Sequence, residues 1–281
     1  MTTVALGTLC LNEMEHLSRL YEQHKDWPHM TRWAFIESAD QMYAEANPEL
    51  VKDGLSVDGT TEFLEKLAKE DDRVVHIKYG QSIHTDPAQG KCVARTAYLR
   101  QADEVRPDFV FVLDADEFYC KDSQGEILEW MNSTSNSGFC FGQRQIWRPP
   151  SIADEPLLQY EVIGGYWAIP HVRGWKWRPG LVYQSDHNSP EFSGKLLNEQ
   201  FARFDQTHIA PQCIHLGFAS SQQNRVAKHR YYAARGEGSA DHRGWYVRSR
   251  TAFETWSPGD KLPRDARVVK YCGPVPECFV E

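Results

Sequence analysis

Nowhere in its 281 residues does the chain approach about 18 consecutive apolar residues, the length a membrane-spanning helix needs, so no span is expected. No C-x-x-C pair occurs either. The seven cysteines (Cys10, Cys92, Cys120, Cys140, Cys213, Cys272 and Cys278) are odd in number and scattered. That leaves zinc ribbons and thioredoxin chemistry unsupported and favours a reduced, cytoplasmic protein. The apolar run Val4–Leu11 is too short for a signal sequence and has no basic stretch before it. Positive charge is in deficit: 31 Lys and Arg against 39 Asp and Glu give a net charge of −8, which argues against a general nucleic-acid binder. No internal repeat and no linker composition is found, which predicts a single domain over residues 1–281.

What is abundant is aromatic. Phe, Trp and Tyr make up 12% of the chain, with nine Trp, and many of them crowd residues 147–183. Over the first 120 residues strand and helix signals alternate: "VALGTLCL" as strand, "NEMEHLSRLYEQHKDW" as helix with Asn12 at its N-cap, "RWAFIES" as strand. "TTEFLEKLAKED" follows as helix from Thr60 or Thr61, "RVVHIKY" as strand, and a helix from Pro87 leads into "DFVFVL". Strands separated by helices predict an α/β fold with a mostly parallel sheet covered on both faces. Beyond Lys121 the pattern predicts a helix at "GEILEWMN", one strand at "SGFCFGQRQIW", helices at "KLLNEQFARF" and "SSQQNRVAKHRYYAAR", and a loosely packed Pro-rich tail.

The five apolar residues Phe109–Leu113 run directly into Asp114, Ala115, Asp116 and Glu117. Ligands of open α/β sheets gather beyond the carboxyl ends of the strands. An i, i+2 spacing in extended chain sends both Asp side chains to one side, and clustered carboxylates repel unless a cation sits among them. Mg²⁺ or Mn²⁺ suits an all-oxygen set completed by substrate phosphates. The bland alternative is a solvated turn. A P-loop is excluded although "QGKC" surrounds Lys91, because Thr85 stands where the motif needs Gly and Cys92 where it needs Ser or Thr. An aspartyl phosphatase would carry its acids on the first strand, not the fourth.

"VALGTLCLNEMEHL", "FIESAD", "GKCVARTAYLRQA", "FVFVLDADEF" and "IHLGFASSQQNRVAKHRYY" occur in that order, and together they resemble the GT-A nucleotide-sugar glycosyltransferases, particularly the family-2-like branch. The resemblance implies a Rossmann-like nucleotide-binding half over residues 1–120, then an acceptor-binding half and tail over 121–281. It implies that Thr8, Asn12 and Glu13 border the nucleotide, that Glu37 and Asp40 touch its base or ribose, that Arg95 neighbours the diphosphate or the donor sugar, and that Lys228 meets phosphate. Asp114 would contact ribose or metal, Asp116 would ligate the metal, and His215 would complete it. The donor implied is a nucleotide sugar, a UDP-sugar by family preference, and the partner a hydroxyl-bearing acceptor, a glycan or else a modified nucleic acid.

The chemistry is consistent with these roles, since departing pyrophosphate is stabilised by a divalent ion and cationic side chains. Residues 225–250 carry seven Lys and Arg against two acids, a net of +5, with Arg225 and Lys228 as candidate cations. A lone His among apolar residues, as in "CIHLGF", is otherwise a packed core residue. An inverting transferase needs a base, for which "QSDHNSPEF" offers Asp186 and Glu191, with His187 between them; a turn is the competing reading of Asp186. Trp167, Trp175 and Trp177, interleaved with Arg144, Arg148, Arg173, Lys176 and Arg178, would form a stacking platform or merely core. The rival functions are a nucleotidyltransferase, whose Gly-rich loop "GTLCLNE" lacks, and a non-catalytic sugar- or nucleic-acid-binding domain.

Overall fold

Near-continuous apolar runs in the first strands build a sheet with two buried faces. The computed structural model describes residues 1–81, 87–147, 158–163, 171–185, 190–192, 195–196, 201–203, 213–237 and 267–280. In chain order these form β1 (Val4–Cys10), α1 (Met14–His24), β2 (Met30–Ala39), α2 (Gln41–Ala46), α3 (Thr60–Glu70), β3 (Val74–Gln81), α4 (Pro87–Val105) and β4 (Phe109–Val112). There follow β5 (Glu117–Phe118), α5 (Lys121–Ser133), β6 (Gly138–Phe141), β7 (Gln143–Trp147), β8 (Tyr160–Ile163) and β9 (His171–Lys176). The last are β10 (Glu191–Phe192), β11 (Lys195–Leu196), β12 (Phe201–Arg203), β13 (Cys213–Phe218), α6 (Gln222–Tyr232) and β14 (Arg267–Lys270).

The larger sheet has the order β12-β6-β9-β4-β1-β2-β3, and β4, β1, β2 and β3 in it run parallel. Val4, Leu6, Trp33, Phe35, Phe109 and Phe111 pack on one face with Leu17 and Leu20 of α1 and Ile127 and Met131 of α5. Ala5, Ala34, Ile36, Val110 and Val112 pack on the other with Cys92, Tyr98, Leu99 and Ala102 of α4. Gly7 is what lets α4 approach: a Cβ there would lie 2.5 Å from the Tyr98 ring. Each large apolar side chain buried this way contributes about 1.5–3 kcal/mol.

A second sheet, β14-β8-β7-β13-β5, was not legible as such. "SGFCFGQRQIW" is two strands: β6 belongs to the first sheet, the chain breaks at Gly142, and β7 joins the second. Other expectations also fail. "KLLNEQFARF" contains β11 and β12, not a helix, because β12 gains backbone pairing with β6. Asn12 is no N-cap; Glu13 occupies that position, and Asn12 has φ 54. α3 does open at Thr60 as expected, with Gly59 before it as the N-cap. The tail is anchored: the Gln23 amide donates to Glu277 at 2.6 Å, and Phe279 meets Phe118 ring to ring at 4.9 Å.

The strand ending in the acids changes sheets. Leu113 N–H still donates to Gly7 in the first sheet, Glu117 N–H closes a turn on Asp114, and β5 then pairs antiparallel with β13, placing Glu117 opposite His215.

Candidate active site

A cleft of about 630 Å³ opens beyond the carboxyl ends of β1, β2 and β4, as the sheet topology requires. From the expected set, Glu13, Asp40, Arg95, Asp114, Asp116, His215 and Lys228 line it.

Within the turn the two aspartates divide between different partners. Asp114 Oδ2 accepts from Arg173 Nη2 at 3.0 Å, and Arg95 lies 3.8 Å from Oδ1. Asp116 Oδ1 lies 3.5 Å from His215 Nε2, and its Oδ2 lies 3.4 Å from Lys228 Nζ. Burial opposes ionisation of both, but Arg173 and Arg95 hold Asp114 below the usual range and His215 and Lys228 hold Asp116 well below it. His215 is itself pushed down, by burial first and with Asp116 opposing. Lys228 supports ionisation of Asp116 from its other side.

Glu117 is fully buried. Its Oε1 accepts from Nε of Arg173 at 3.0 Å, from the same guanidinium's Nη2 and from the Gln143 amide, and its Oε2 accepts the Asp114 N–H at 3.2 Å. Burial pushes this carboxyl up, to about 7, against the pull of Arg173. The N–H donors meeting both oxygens leave no acceptor for a carboxyl proton, so the group is an ionised anchor.

Among the described residues no group of three His, Cys, Asp or Glu side chains converges as a metal site. The expected ligand Asp114 is bound by Arg173, and the expected ligands Asp116 and His215 face each other. An oxygen and a ring nitrogen 3.5 Å apart at an open cleft fit a divalent ion that takes its remaining ligands from phosphate oxygens and water.

Three expected nucleotide contacts do not face the cleft. Thr8 is fully buried and accepts from Trp33 Nε1 at 2.9 Å. The Asn12 side chain donates to Leu50 O at 2.7 Å and accepts from Val57 N at 3.0 Å, bracing the loop after β1. Glu37 accepts from Ser56 N at 2.8 Å and Thr61 Oγ1 at 2.6 Å and pairs with His76 at 2.9 Å. Asp40 lines the cleft but is largely committed, accepting from Tyr43 N at 2.9 Å as the α2 N-cap and from Tyr231 Oη at 2.7 Å. Burial, with Asp116 adding repulsion, raises the Glu13 carboxyl to about 8 although Lys228 opposes it.

Of the candidate bases, Asp186 and His187 lie outside the described residues. Glu191 is buried away from the cleft lining, accepting from Ser185 N at 2.9 Å. The aromatic platform does not form among the described residues. Trp175 is core, and Trp177 donates to Asp103 at 3.2 Å. Arg144 binds Glu161 at 2.9 Å, Lys176 binds Thr134 O at 2.6 Å and Arg178 binds Ser137 at 2.6 Å. Trp167 and Arg148 lie outside the described residues.

The cleft also holds residues the sequence reading did not place in a site, Lys91, Gln143, Gln145 and His171, and Arg173, expected beside an aromatic platform, stands in it as an anchor. Lys91 stands one helical turn before Arg95, and that i, i+4 spacing was the available signal. Burial, with Arg95 and Arg235 adding repulsion, lowers its ammonium to about 8.

No family model matches the chain, and no curated protein matches its sequence. Solved structures of TarS from S. aureus resemble it weakly. The 1–349 fragment aligns at a TM-score of 0.43 and 12% identity over 90% of this chain and 70% of that one. The same fragment with UDP aligns at 0.43 and 11% identity over 89% and 70%, and with UDP-GlcNAc at 0.37 and 12% over 89% and 71%. With these TM-scores below 0.5, the site rests on its own residues.

Proposed function

We propose that the protein is a glycosyltransferase that moves a sugar from a nucleoside-diphosphate sugar to a hydroxyl acceptor. One observation carries the reading: Asp116 lies 3.5 Å from His215 Nε2 and 3.4 Å from Lys228 Nζ, in an open cleft beyond the strand ends. Such a set matches what a diphosphate leaving group requires, an anion-ligated cation beside a second fixed positive charge. Asp116 and His215 would hold a divalent ion, which would supply Lewis-acid stabilisation of the charge on the departing diphosphate.

The chain's own residues divide the rest of the work. Lys228 offers its ammonium to phosphate oxygens from α6, which is fixed to the nucleotide half by Tyr231 on Asp40 and by Asn224 on the Asn12 carbonyl at 3.2 Å. Lys91 and Arg95 present further positive charge from α4. Arg173 holds Asp114 and Glu117 in place, so that the turn carrying Asp116 is rigid before substrate arrives. Mn²⁺ or Mg²⁺ is the cation this donor chemistry suits, and a UDP-sugar the donor to try first.

Isothermal titration of UDP into metal-free protein, with and without Mn²⁺, tests the reading in wild type and in Asp116→Ala. Metal-dependent binding that vanishes in the variant supports it. Failure of both UDP and GDP to bind in the presence of Mn²⁺ removes its basis.

A further inference from the structure

His215 reaches Asp116 with Nε2, and its other ring nitrogen is held from behind. Nδ1 lies 2.5 Å from Gln145 Oε1. Gln145 Nε2 donates to Gln143 Oε1 at 3.0 Å, and the Gln143 amide nitrogen donates in turn to Glu117 Oε1. Glu117 is closed off by Arg173, whose guanidinium also holds Asp114. The result is a continuous hydrogen-bonded path from the His215 ring to the buried carboxylate one residue beyond Asp116.

The direction of every bond in that path is dictated from one end. A carboxylate can only accept, so Gln143 must present its NH₂ to Glu117 and its oxygen to Gln145. Gln145 must then spend its NH₂ on Gln143 and turn its oxygen to His215. An oxygen at Nδ1 requires Nδ1 to carry the proton, which leaves Nε2 as a bare lone pair on the Asp116 side. With Gln145 reversed, two amide oxygens would meet and a buried bond would be lost, at about 1–3 kcal/mol. Gln145 is almost fully buried, so water does not offer an easy substitute.

We propose that Glu117, acting through Gln143 and Gln145, sets the tautomer of His215 so that its Nε2 is available as a ligand. These three are positioning residues. The inference rests on the reading of Asp116 and His215 as the cation site and adds to it the device that readies one ligand in advance. It also gives the third acid of "DADE" a reason to be there: it is the terminus of the relay. Partners of a ligating His ordinarily change metal affinity by about 10–100-fold when removed.

The first test needs no variant. ¹⁵N NMR of the metal-free wild-type protein at neutral pH should show His215 protonated on Nδ1 and bare on Nε2. Gln143→Met breaks the path without touching His215. It should give a mixture of tautomers and weaken Mn²⁺ binding several-fold, and Gln145→Leu should weaken it by about 10–100-fold. A wild-type His215 protonated on Nε2 would overturn the relay, whether or not any variant folds. So would a folded Gln143→Met protein with the wild-type tautomer and Mn²⁺ affinity. The transferase reading fails separately, by absence of UDP binding to a protein whose tautomer is as stated.

Discussion

Arg173 Nη2 sits 3.0 Å from Asp114 Oδ2 while Nε of the same guanidinium sits 3.0 Å from Glu117 Oε1. One cation from β9 thus takes up two of the three acids in "DADE" and leaves Asp116 to face His215 and Lys228. The two aspartates should consequently behave differently when neutralised. Asp116→Asn should abolish Mn²⁺-dependent UDP binding, whereas Asp114→Asn should keep it within a few-fold. Equal loss in both, read by titration calorimetry, would mean that Asp114 leaves Arg173 to join the cation.

Removing Arg173 is expected to act on stability first. Arg173→Leu leaves Glu117 buried and uncompensated, which costs about 3–5 kcal/mol. Urea denaturation should show the loss. A change under about 1 kcal/mol would mean that Glu117 takes up a proton at little cost, contrary to its N–H surroundings.

Gly217 gives a local test of His215. A Cβ at that position would overlap the His215 ring. Gly217→Ala should therefore rotate the ring off Gln145 and lower Mn²⁺ affinity, with the urea midpoint close to wild type. Unchanged affinity would show that ring placement does not limit cation binding.

Lys91 predicts a pH effect in the alkaline range. Its ammonium, lowered to about 8, loses charge as pH rises through that value, so UDP affinity should fall above it. The fall should be absent in Lys91→Met, which would bind more weakly at pH 7 and with a flatter profile. A wild-type affinity that stays level to pH 9 would exclude Lys91 from the anion site.

Acid stability should depend on His24 and Glu37. His24 is fully buried, lowered to about 3 by burial although the Glu117 carbonyl opposes it, and its Nδ1 pairs with Gln124 at 2.9 Å. The unfolded chain takes up this proton near pH 6.5 and the folded protein does not, so stability is full above about 6.5 and declines below it. Glu37 works in the same direction lower down: burial notwithstanding, bonds from His76, Thr61 and Ser56 hold it to about 2. Its contribution is present above the unfolded value near 4.3 and lost as pH falls through about 2. Urea midpoints from pH 7.5 to 4 should drop in wild type and drop less in His24→Gln; identical slopes would acquit His24.

Much of this protein was decided locally and could be read without coordinates. Near-continuous apolar runs in Val4–Cys10 and Met30–Ala39, with Pro87 opening a long helix, dictate stacked βαβ units, because apolar runs and capping are properties of adjacent residues. That order puts Asp114 and Asp116 at a strand end, and the same cleft receives His215 and Lys228. The tertiary structure decided which polar group meets which. Thr8, Asn12 and Glu37 occupy motif positions yet are consumed by Trp33, Leu50 and His76, partners that only folding supplies. Asp114 is claimed by a residue 59 positions away and His215 is oriented by one 70 positions away. A carboxylate's role follows from the charges and donors that reach it in a buried, weakly screened site, and those are set by sheet pairing across the whole chain, not by the four letters in which the acids are written.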